Sequence, residues 1–175
     1  MKLIYKATGI FFKLFNRKLR LGRNVKIDPR AFVARGGEIA IGDNAVVRAG
    51  AMLLPSGGSI SIGARSSINQ YVVINGEGGC SIGDDVMVAA FCTIFAANHR
   101  IERTDIPMCM QGMVTKGGVV IENDVWLGTH CVILDGVRIG NGSVIAAGAV
   151  VNNNIAPFSI VGGVPGKVIG SRKTL

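Results

Sequence analysis

An aliphatic side chain returns every six residues through most of this chain of 175 residues. The matching positions fall into sets of three, and the register is interrupted only between sets. They are Leu21, Ile27, Val33, Ile41, Val47, Leu53, Ile62, Ile68, Ile74, Ile82, Val88, Ile94, Ile121, Leu127, Ile133, Ile139, Ile145 and Val151. Alternation along a strand of a β-sandwich has a period of two instead. A period of six over this length therefore predicts a fold of stacked repeats.

Three hexapeptides make one triangular coil, in which each face is a short strand and each corner is a turn. The fifth residue of a hexapeptide also points inward, and it must be small because the prism is narrow. The positions that fit are Ala45, Ala51, Ser66, Val72, Val86, Cys92, Val125, Cys131, Ser143 and Ala149. Abundant glycine and an aromatic content of only 6% suit such narrow packing layers. The sequence thus predicts an all-β parallel β-helix of about six coils.

Charge and periodicity divide the chain into three parts. Apolar residues recur at helical spacing over residues 2–19, opposite a cationic face. We expect a basic amphipathic helix over residues 1–20, the β-helix over 21–156, and a closing segment with a basic tail over 157–175. The helix would cap the open end of the coils or rest on an anionic membrane surface, and the two roles are compatible. Because the net charge of +8 comes from residues 1–26 alone, no nucleic-acid partner is expected.

One long interruption separates Ile94 from Ile121, so residues 95–118 must leave the coils as an excursion loop. A long loop in a repeat protein usually has a function. The chain has two histidines, and His99 lies where the coil opens into this loop. An imidazole there can accept a proton near pH 7, which makes His99 the candidate general base. His130 lies inside a regular hexapeptide, so we expect it to be structural.

Four segments together resemble a known family. They are Ile82–Asp85, Ala97–His99, Asn123–Gly128 and Gly162–Ile169, and the likeness spans residues 60–170. The combination resembles the hexapeptide-repeat acetyltransferases, and within them the maltose and galactoside O-acetyltransferase type. The resemblance implies a left-handed β-helix, a homotrimer with active sites between subunits, and acetyl-CoA as co-substrate with no metal required.

The resemblance also assigns roles to single residues. His99 matches the family's general base, and Asn69 matches an asparagine that contacts the acetyl group and the acceptor. The donor-binding positions are Trp126, Gly128, Ala146, Ala147, Lys167 and Arg172, of which the two cations would hold the phosphates of coenzyme A. Taken without the resemblance, Asn69 suits a turn, Trp126 suits packing against a neighbouring subunit, and the two cations suit a solvated tail. Asn152–Asn153 stand where relatives often have Thr-Lys, which puts one phosphate contact in doubt.

These residues favour an O-acetyltransferase that acts on a sugar hydroxyl of a bacterial surface polysaccharide or its precursor. N-acetylation of an amino sugar or a xenobiotic stays open, because Glu102 and Asp105 in the excursion could hold a protonated amine. A non-catalytic β-helix scaffold is the second alternative. A carbonic-anhydrase-like metal site needs three histidines, and the chain has two.

Cysteine usage and the apolar runs bear on location. The cysteines form no CxxC pair and no zinc spacing, and the apolar runs are shorter than the ~18–20 residues that cross a bilayer. We expect a cytoplasmic protein with reduced thiols, which could lie at the inner face of the membrane. Cys92 and Cys131 occupy equivalent inward positions on successive coils, so we expect them to be buried neighbours with free thiols.

Overall fold

The structure is a computed structural model that describes residues 18–174. Its short parallel strands stack into three flat sheets, named here faces A, B and C. Face A contains β1 (Leu19–Leu21), β4 (Glu38–Ile41), β7 (Ser59–Ile62), β10 (Cys80–Ile82), β15 (Val119–Ile121) and β18 (Arg138–Ile139). Face B contains β2 (Lys26–Ile27), β5 (Val46–Val47), β8 (Ser67–Ile68), β11 (Met87–Val88), β16 (Trp126–Leu127), β19 (Val144–Ile145) and β21 (Ser159–Gly162). Face C contains β3 (Phe32–Val33), β6 (Met52–Leu54), β9 (Val73–Asn75), β12 (Thr93–Phe95), β17 (Val132–Ile133) and β20 (Val150–Val151).

The strand pairing confirms the register that the period of six predicts. On face A, Leu21 pairs with Ile41, Ile41 with Ile62, and Ile62 with Ile82, and the other two faces follow the same rule. The ten small residues predicted at the fifth position are all fully buried. Burial of apolar surface contributes about 25 cal/mol per Å², so these continuous inward columns are the main source of stability. The hexapeptide repeat makes this an all-β, left-handed parallel β-helix.

The stack holds six complete coils and part of a seventh. After Val151 the next inward residue is Ile155, which forms a bridge with Ile139. Strand β21 then extends face B, and its buried Val161 lies over Ile145. The β-helix therefore continues beyond residue 156, where the sequence predicted its end. An interval of four instead of six after Val151 hides this last repeat.

Both ends of the stack differ slightly from the expected boundaries. Strand β1 starts at Leu19, so the coils begin two residues before the predicted boundary at residue 21. The rest of the predicted basic helix over residues 1–20 lies outside the described residues. At the other end, β22 (Lys167–Ser171) folds back antiparallel onto β21, and a 3-10 turn over Arg172–Thr174 follows it. Within residues 18–174, no helix has the length and apolar character needed to span a bilayer.

The three corners of the prism are not alike. The A–B and B–C corners, named for the faces they join, are tight turns of constant length. The C–A corner takes up the extra residues after Val33, Leu53 and Ile74, as the sequence predicts, and it also takes up the whole excursion over residues 95–118. Since an added residue inside a face would break the strand pairing, confining insertions to one corner keeps all three faces flat.

Candidate active site

The excursion begins and ends as a small antiparallel hairpin. Strand β13 (Asn98–His99) pairs with β14 (Met113–Val114), with Asn98 opposite Val114 and His99 opposite Met113. The backbone N–H of Arg100 extends the ladder by donating to the carbonyl of Gly112 at 3.0 Å. The His99 side chain is exposed on this hairpin. The predicted general base is thus held on paired backbone, with its imidazole open to a substrate.

A buried carboxylate fastens both ends of the excursion to the next coil. Asp135 accepts hydrogen bonds from the N–H of Lys116 at 2.6 Å, from the N–H of Gly118 at 3.0 Å and from the hydroxyl of Thr115 at 3.0 Å. The side-chain amide of Asn98, the neighbour of His99, lies 3.5 Å from the same carboxylate. Only 5% of Asp135 is exposed. Sequence reasoning missed this residue, because Asp before Gly at a corner looks like an ordinary turn.

One glutamine side chain holds the far part of the excursion together by hydrogen bonds. The side chain of Gln111 accepts from the N–H of Arg103 at 3.0 Å and donates to the carbonyls of Arg103 at 2.7 Å and Ile106 at 3.2 Å. A single 3-10 turn over Met108–Met110 leads into it. The loop is therefore folded on itself, but Ile101 and this turn leave large apolar side chains in solvent. Exposed apolar groups in one patch are typical of a contact surface.

Asn69 lies at a different corner from His99. It follows β8 at the B–C corner, and its side-chain amide donates to the carbonyl of Val88 in the next coil at 2.8 Å. His99 projects from the C–A corner, on the other side of face C. One chain therefore does not bring the two predicted catalytic residues together through a shared turn.

Most of the predicted donor-binding residues do lie together. Trp126 lies on face B with 49% of its surface exposed, and Gly128 lies two residues later, at the B–C corner. In the next coil, Ala146 and Ala147 occupy the equivalent corner, and a Cβ on Gly128 would come within 2.6 Å of the Ala147 nitrogen. Lys167 pairs with Gly162, which continues the same corner in the seventh coil.

Arg172 is the exception among these residues. Its guanidinium donates to the carboxylate of Asp124 at 2.9 Å and to the carbonyl of Gly142 at 2.9 Å. Both partners belong to the A–B corner, across face B from Gly128 and Ala146. The structure thus uses Arg172 as a tether for the end of the chain, and it does not bring this cation to the other predicted donor-binding residues.

A stack of aromatic rings runs along the B–C corner, and the sequence analysis did not foresee it. The rings of Tyr71 and Phe91 are parallel within 12° with centroids 5.2 Å apart. Phe91 and His130 are parallel within 5° at 4.9 Å. The intervals of 20 and 39 residues between them equal those of the inward column Ile62, Ile82 and Ile121. That match is the signal that could have revealed the stack.

The two inward cysteines behind this corner are neighbours, as predicted. Their sulfur atoms lie 3.4 Å apart, both residues are fully buried, and both thiols are free. The Cys92 thiol donates to the carbonyl of Gly128 at 3.0 Å. The hydrogen bond that the Cys131 thiol donates to Cys92, together with burial, raises the pKa of Cys131. The pair packs as two small apolar groups in the prism.

Comparison with family models gives two matches. A model described as bacterial transferase hexapeptide (six repeats) matches residues 118–153. A model described as hexapeptide repeat of succinyl-transferase matches residues 38–55. These two ranges lie on either side of the excursion, in coils that the strand pairing makes equivalent.

Several curated proteins are similar in sequence. "Probable acetyltransferase Rv3034c" of Mycobacterium tuberculosis is 34% identical over 156 residues, which is 87% of this chain and 50% of that protein. Galactoside O-acetyltransferase of Escherichia coli K12 is 33% identical over 74% of this chain and 62% of its own length. "Putative lipopolysaccharide biosynthesis O-acetyl transferase WbbJ" of the same organism is 31% identical over 79% of this chain and 74% of its own. The first two matches span only half to about three-fifths of those relatives.

Solved structures share the fold over nearly the whole chain. A point mutant of AntD, an N-acyltransferase from Bacillus cereus, in complex with dTDP and coenzyme A, has a TM-score of 0.82 and 27% identity, and the match covers 94% of this chain and 90% of that one. The acetyltransferase VCA0836 from Vibrio cholerae, complexed with acetyl coenzyme A, has a TM-score of 0.61 and 29% identity over 87% of this chain and 70% of that one.

Proposed function

This chain belongs to the hexapeptide-repeat acetyltransferase family, and on that premise we propose that it moves an acetyl group from acetyl-CoA to a sugar hydroxyl, with His99 as general base. The observation that carries the proposal is the way in which the backbone of His99 is held. Its imidazole is exposed on a hairpin that the buried carboxylate of Asp135 fixes to the coils. The coils on either side of that attachment carry Trp126, Gly128 and Ala146, the positions proposed for donor binding.

The chemistry needs only one proton acceptor. A sugar hydroxyl is a weak nucleophile until a base removes its proton, and a neutral imidazole at position 99 can do so near pH 7. Acetyl-CoA supplies the acetyl group as a thioester. The hydroxyl oxygen forms a bond to the carbonyl carbon, the carbon–sulfur bond breaks, and the departing thiolate takes the proton back from His99. The side chain of Asn69 would orient the acetyl group and the acceptor, and no covalent enzyme intermediate is required.

We propose that a complete site forms between two subunits of a homotrimer. His99 and Asn69 lie at opposite edges of face C in one chain, so a neighbour's excursion must bring His99 to this chain's B–C corner. Apolar side chains exposed on the excursion and at Met87 and Trp126 on face B would be covered by that contact. A closed ring of three identical chains gives three such sites.

Mixed trimers of two inactive variants test this division of labour. His99→Ala and Asn69→Ala chains with different tags are co-expressed, and trimers that contain both tags are purified. In any mixed ring of three, one site of the three has both residues intact, so we expect about one third of the parental activity. Trimers of either variant alone should be inactive. Mixed trimers without activity would mean that both residues act from the same chain.

The acceptor that we propose is a sugar hydroxyl of a bacterial surface polysaccharide or its precursor. Similarity to a galactoside O-acetyltransferase and to a protein named for lipopolysaccharide biosynthesis supports a sugar. The basic segment over residues 1–20 supports a lipid-linked precursor at the inner face of the membrane, because anionic lipid attracts polybasic segments. Removing this segment should reduce sedimentation with anionic vesicles while leaving activity on a water-soluble sugar.

Transfer to an amino group of a nucleotide-linked sugar is the second candidate. It is favoured by the similarity to AntD, an N-acyltransferase in complex with dTDP. A protonated amine needs a nearby carboxylate, and the carboxylate of Asp105 is already held by Arg103 in a bidentate ion pair, which lowers its pKa. Glu102, whose carboxylate accepts only a neighbouring backbone N–H, is then the acidic group left in the excursion for that role.

Release of the coenzyme A thiol against a panel of acceptors separates the two candidates. Galactosides and oligosaccharide fragments test the hydroxyl, and amino sugars attached to a nucleotide test the amine. His99→Ala should lower kcat by roughly 10²–10⁴-fold without weakening binding of the donor, as expected when a general base is lost. Arg100→Ala on the same exposed hairpin is the control and should keep parental activity. A His99→Ala variant as fast as the control would end the proposal.

A further inference from the structure

The aromatic stack at the B–C corner stops in the fifth coil of the prism. The stacked positions are Tyr71, Phe91 and His130, and each is the residue of its corner that has positive φ. Gly148 takes the next such position, with φ of 71°. Glycine has no side chain, so nothing in its own coil continues the stack over the outer face of the His130 ring.

This glycine differs from the other corner glycines at equivalent positions. A Cβ on Gly50 would lie 2.5 Å from the ring of Tyr71, and a Cβ on Gly142 would lie 2.6 Å from the ring of Phe158. In both cases a ring of the following coil covers the glycine. A Cβ on Gly148 would meet no heavy atom within 4 Å. An open gap therefore remains where the pattern of the stack calls for a ring.

The surroundings of this gap suit a nucleotide. The floor of the gap is the face of the His130 ring, whose centroid lies 4.9 Å from that of Phe91. The backbone of Gly148 bounds the gap on another side. Lys167 enters the neighbouring turn of the seventh coil, opposite Gly162, and places a cation at the same corner. Stacked rings in this corner repeat about every 5 Å, a spacing that a planar heterocycle can adopt on an aromatic face.

We propose that the gap over His130 is a stacking site for a nucleobase. The choice of a nucleobase rests on the proposed function, which offers two sources: the adenine of coenzyme A, or the base of a nucleotide-linked sugar acceptor. In either case the ring of the ligand takes the place of the side chain that Gly148 lacks, and Lys167, at the same corner of the seventh coil, is the cation that would meet a phosphate.

Equilibrium binding by calorimetry, with no turnover, tests the site directly. The probes are coenzyme A, pantetheine, which lacks the base, and uridine diphosphate. His130→Asn removes the floor while keeping a residue that tolerates positive φ. Gly148→Phe fills the gap with a ring, in a backbone conformation that Tyr71 and Phe91 already adopt. Tyr71→Asn, at the far end of the stack, is the matched control.

Base–aromatic stacking is worth enough to change affinity by roughly 5- to 100-fold. If the base comes from the donor, both site variants weaken coenzyme A by this factor and leave pantetheine unchanged. If it comes from the acceptor, both weaken uridine diphosphate alone. The control should match the parent in every case.

Three results would overturn the site: unchanged affinities in both variants, equal losses for coenzyme A and pantetheine, or a parent chain that binds neither nucleotide. Because turnover is not measured, a failed acetyl transfer does not affect the outcome. Base-dependent binding without transfer would keep this site and remove the proposed activity.

Discussion

The A–B and B–C corners share one turn length and one backbone conformation, but they carry different outward side chains. At both corners most coils have one residue with positive φ, for example 59° at Arg65 and 58° at Tyr71. Along the A–B corner these positions are mostly Asn, Asp and Arg, and along the B–C corner they are aromatic rings and glycine. Bulky residues are uncommon in this conformation, so the tight turn of the coil imposes it on whatever residue is present.

Only one of these two corners has outward side chains that are left open to a ligand. At the A–B corner, charges pair from coil to coil, as in Arg23 with Asp43 at 2.8 Å and Arg65 with Asp85 at 2.6 Å. The charged side chains of that corner are therefore paired with one another. At the B–C corner the rings stack on one another but leave their edges and one end face in solvent, next to the proposed donor site. The coil fixes the backbone, and the outward side chains decide whether a corner is closed or open to a ligand.

The largest expected effect is at the C–A corner. There the carboxylate of Asp135 holds the excursion, whereas side chains at the other two corners pair or stack from coil to coil. Asp135→Ala would remove the acceptor of the Lys116 N–H and leave the Gly118 N–H with the Thr115 hydroxyl alone, at about 1–3 kcal/mol for a donor that loses its partner. We expect faster hydrogen exchange across residues 95–118 and a kcat lowered by about 10-fold or more, since His99 loses its fixed position.

Asp135→Asn, which keeps one acceptor oxygen, is the control for this change and should fall between the parent and the alanine variant. Parental exchange rates in Asp135→Ala would show that the excursion is held by other contacts, and the C–A corner would then need no anchor.

The next effect lies inside the A–B corner, where the inward residues of two coils are serines. The Ser66 hydroxyl donates to the carbonyl of Gly83 at 2.8 Å and accepts from the N–H of Val86 at 2.9 Å. Ser66→Ala should lower the free energy of unfolding by about 1–3 kcal/mol, because a buried donor loses its partner. Ser143, which only donates to the carbonyl of Ala156, should lose less when changed to Ala. Equal losses in chemical unfolding would contradict this reasoning.

A smaller change in the free energy of unfolding is expected when ring stacking or charge pairing is removed, and salt distinguishes the two. Phe91→Asn removes the middle ring and both stacking contacts, and should lower the free energy of unfolding by about 1 kcal/mol at any ionic strength. Asp85→Asn at the A–B corner breaks an exposed ion pair, so its smaller loss should disappear in 1 M salt, where the Debye length is about 3 Å. Unfolding at low and high salt measures both. Salt dependence in the Phe91 variant would erase the distinction between the corners.

The smallest expected effect is the acid sensitivity of the A–B corner. Hydrogen bonds from the backbone and side chain of Arg23 lower the pKa of Asp43, and hydrogen bonds from the side chain of Arg65 lower the pKa of Asp85. A carboxyl with a lower pKa in the folded state contributes stability above its unfolded pKa of about 3.9 and loses it as pH falls through the folded value. Asp43→Asn should therefore flatten the acid limb of melting temperature against pH, and Phe91→Asn should leave that limb as it is.

The inward half of the fold could be predicted from the sequence, and the outward half could not. Each aliphatic of the period of six lies in its predicted column, because burial against the residues above and below selects the side chain there. Asp135 was missed because its acceptor role depends on residues 17 to 37 positions away. The seventh coil was missed because one interval of four breaks the period before Ile155. His99 and Asn69 could be singled out by type and place, but not their separation across face C.

The stack of triangular coils follows from the sequence, since that arrangement buries the apolar side chains at every sixth residue together. The sequence also determined that one long segment leaves the stack beside His99. Tertiary structure alone decided which outward residues meet. Strands about 4.8 Å apart bring together residues from successive coils, and the irregular insertions at the C–A corner set which ones they are. The ring stack, its open place at Gly148 and the anchoring of the excursion by Asp135 all follow from that alignment.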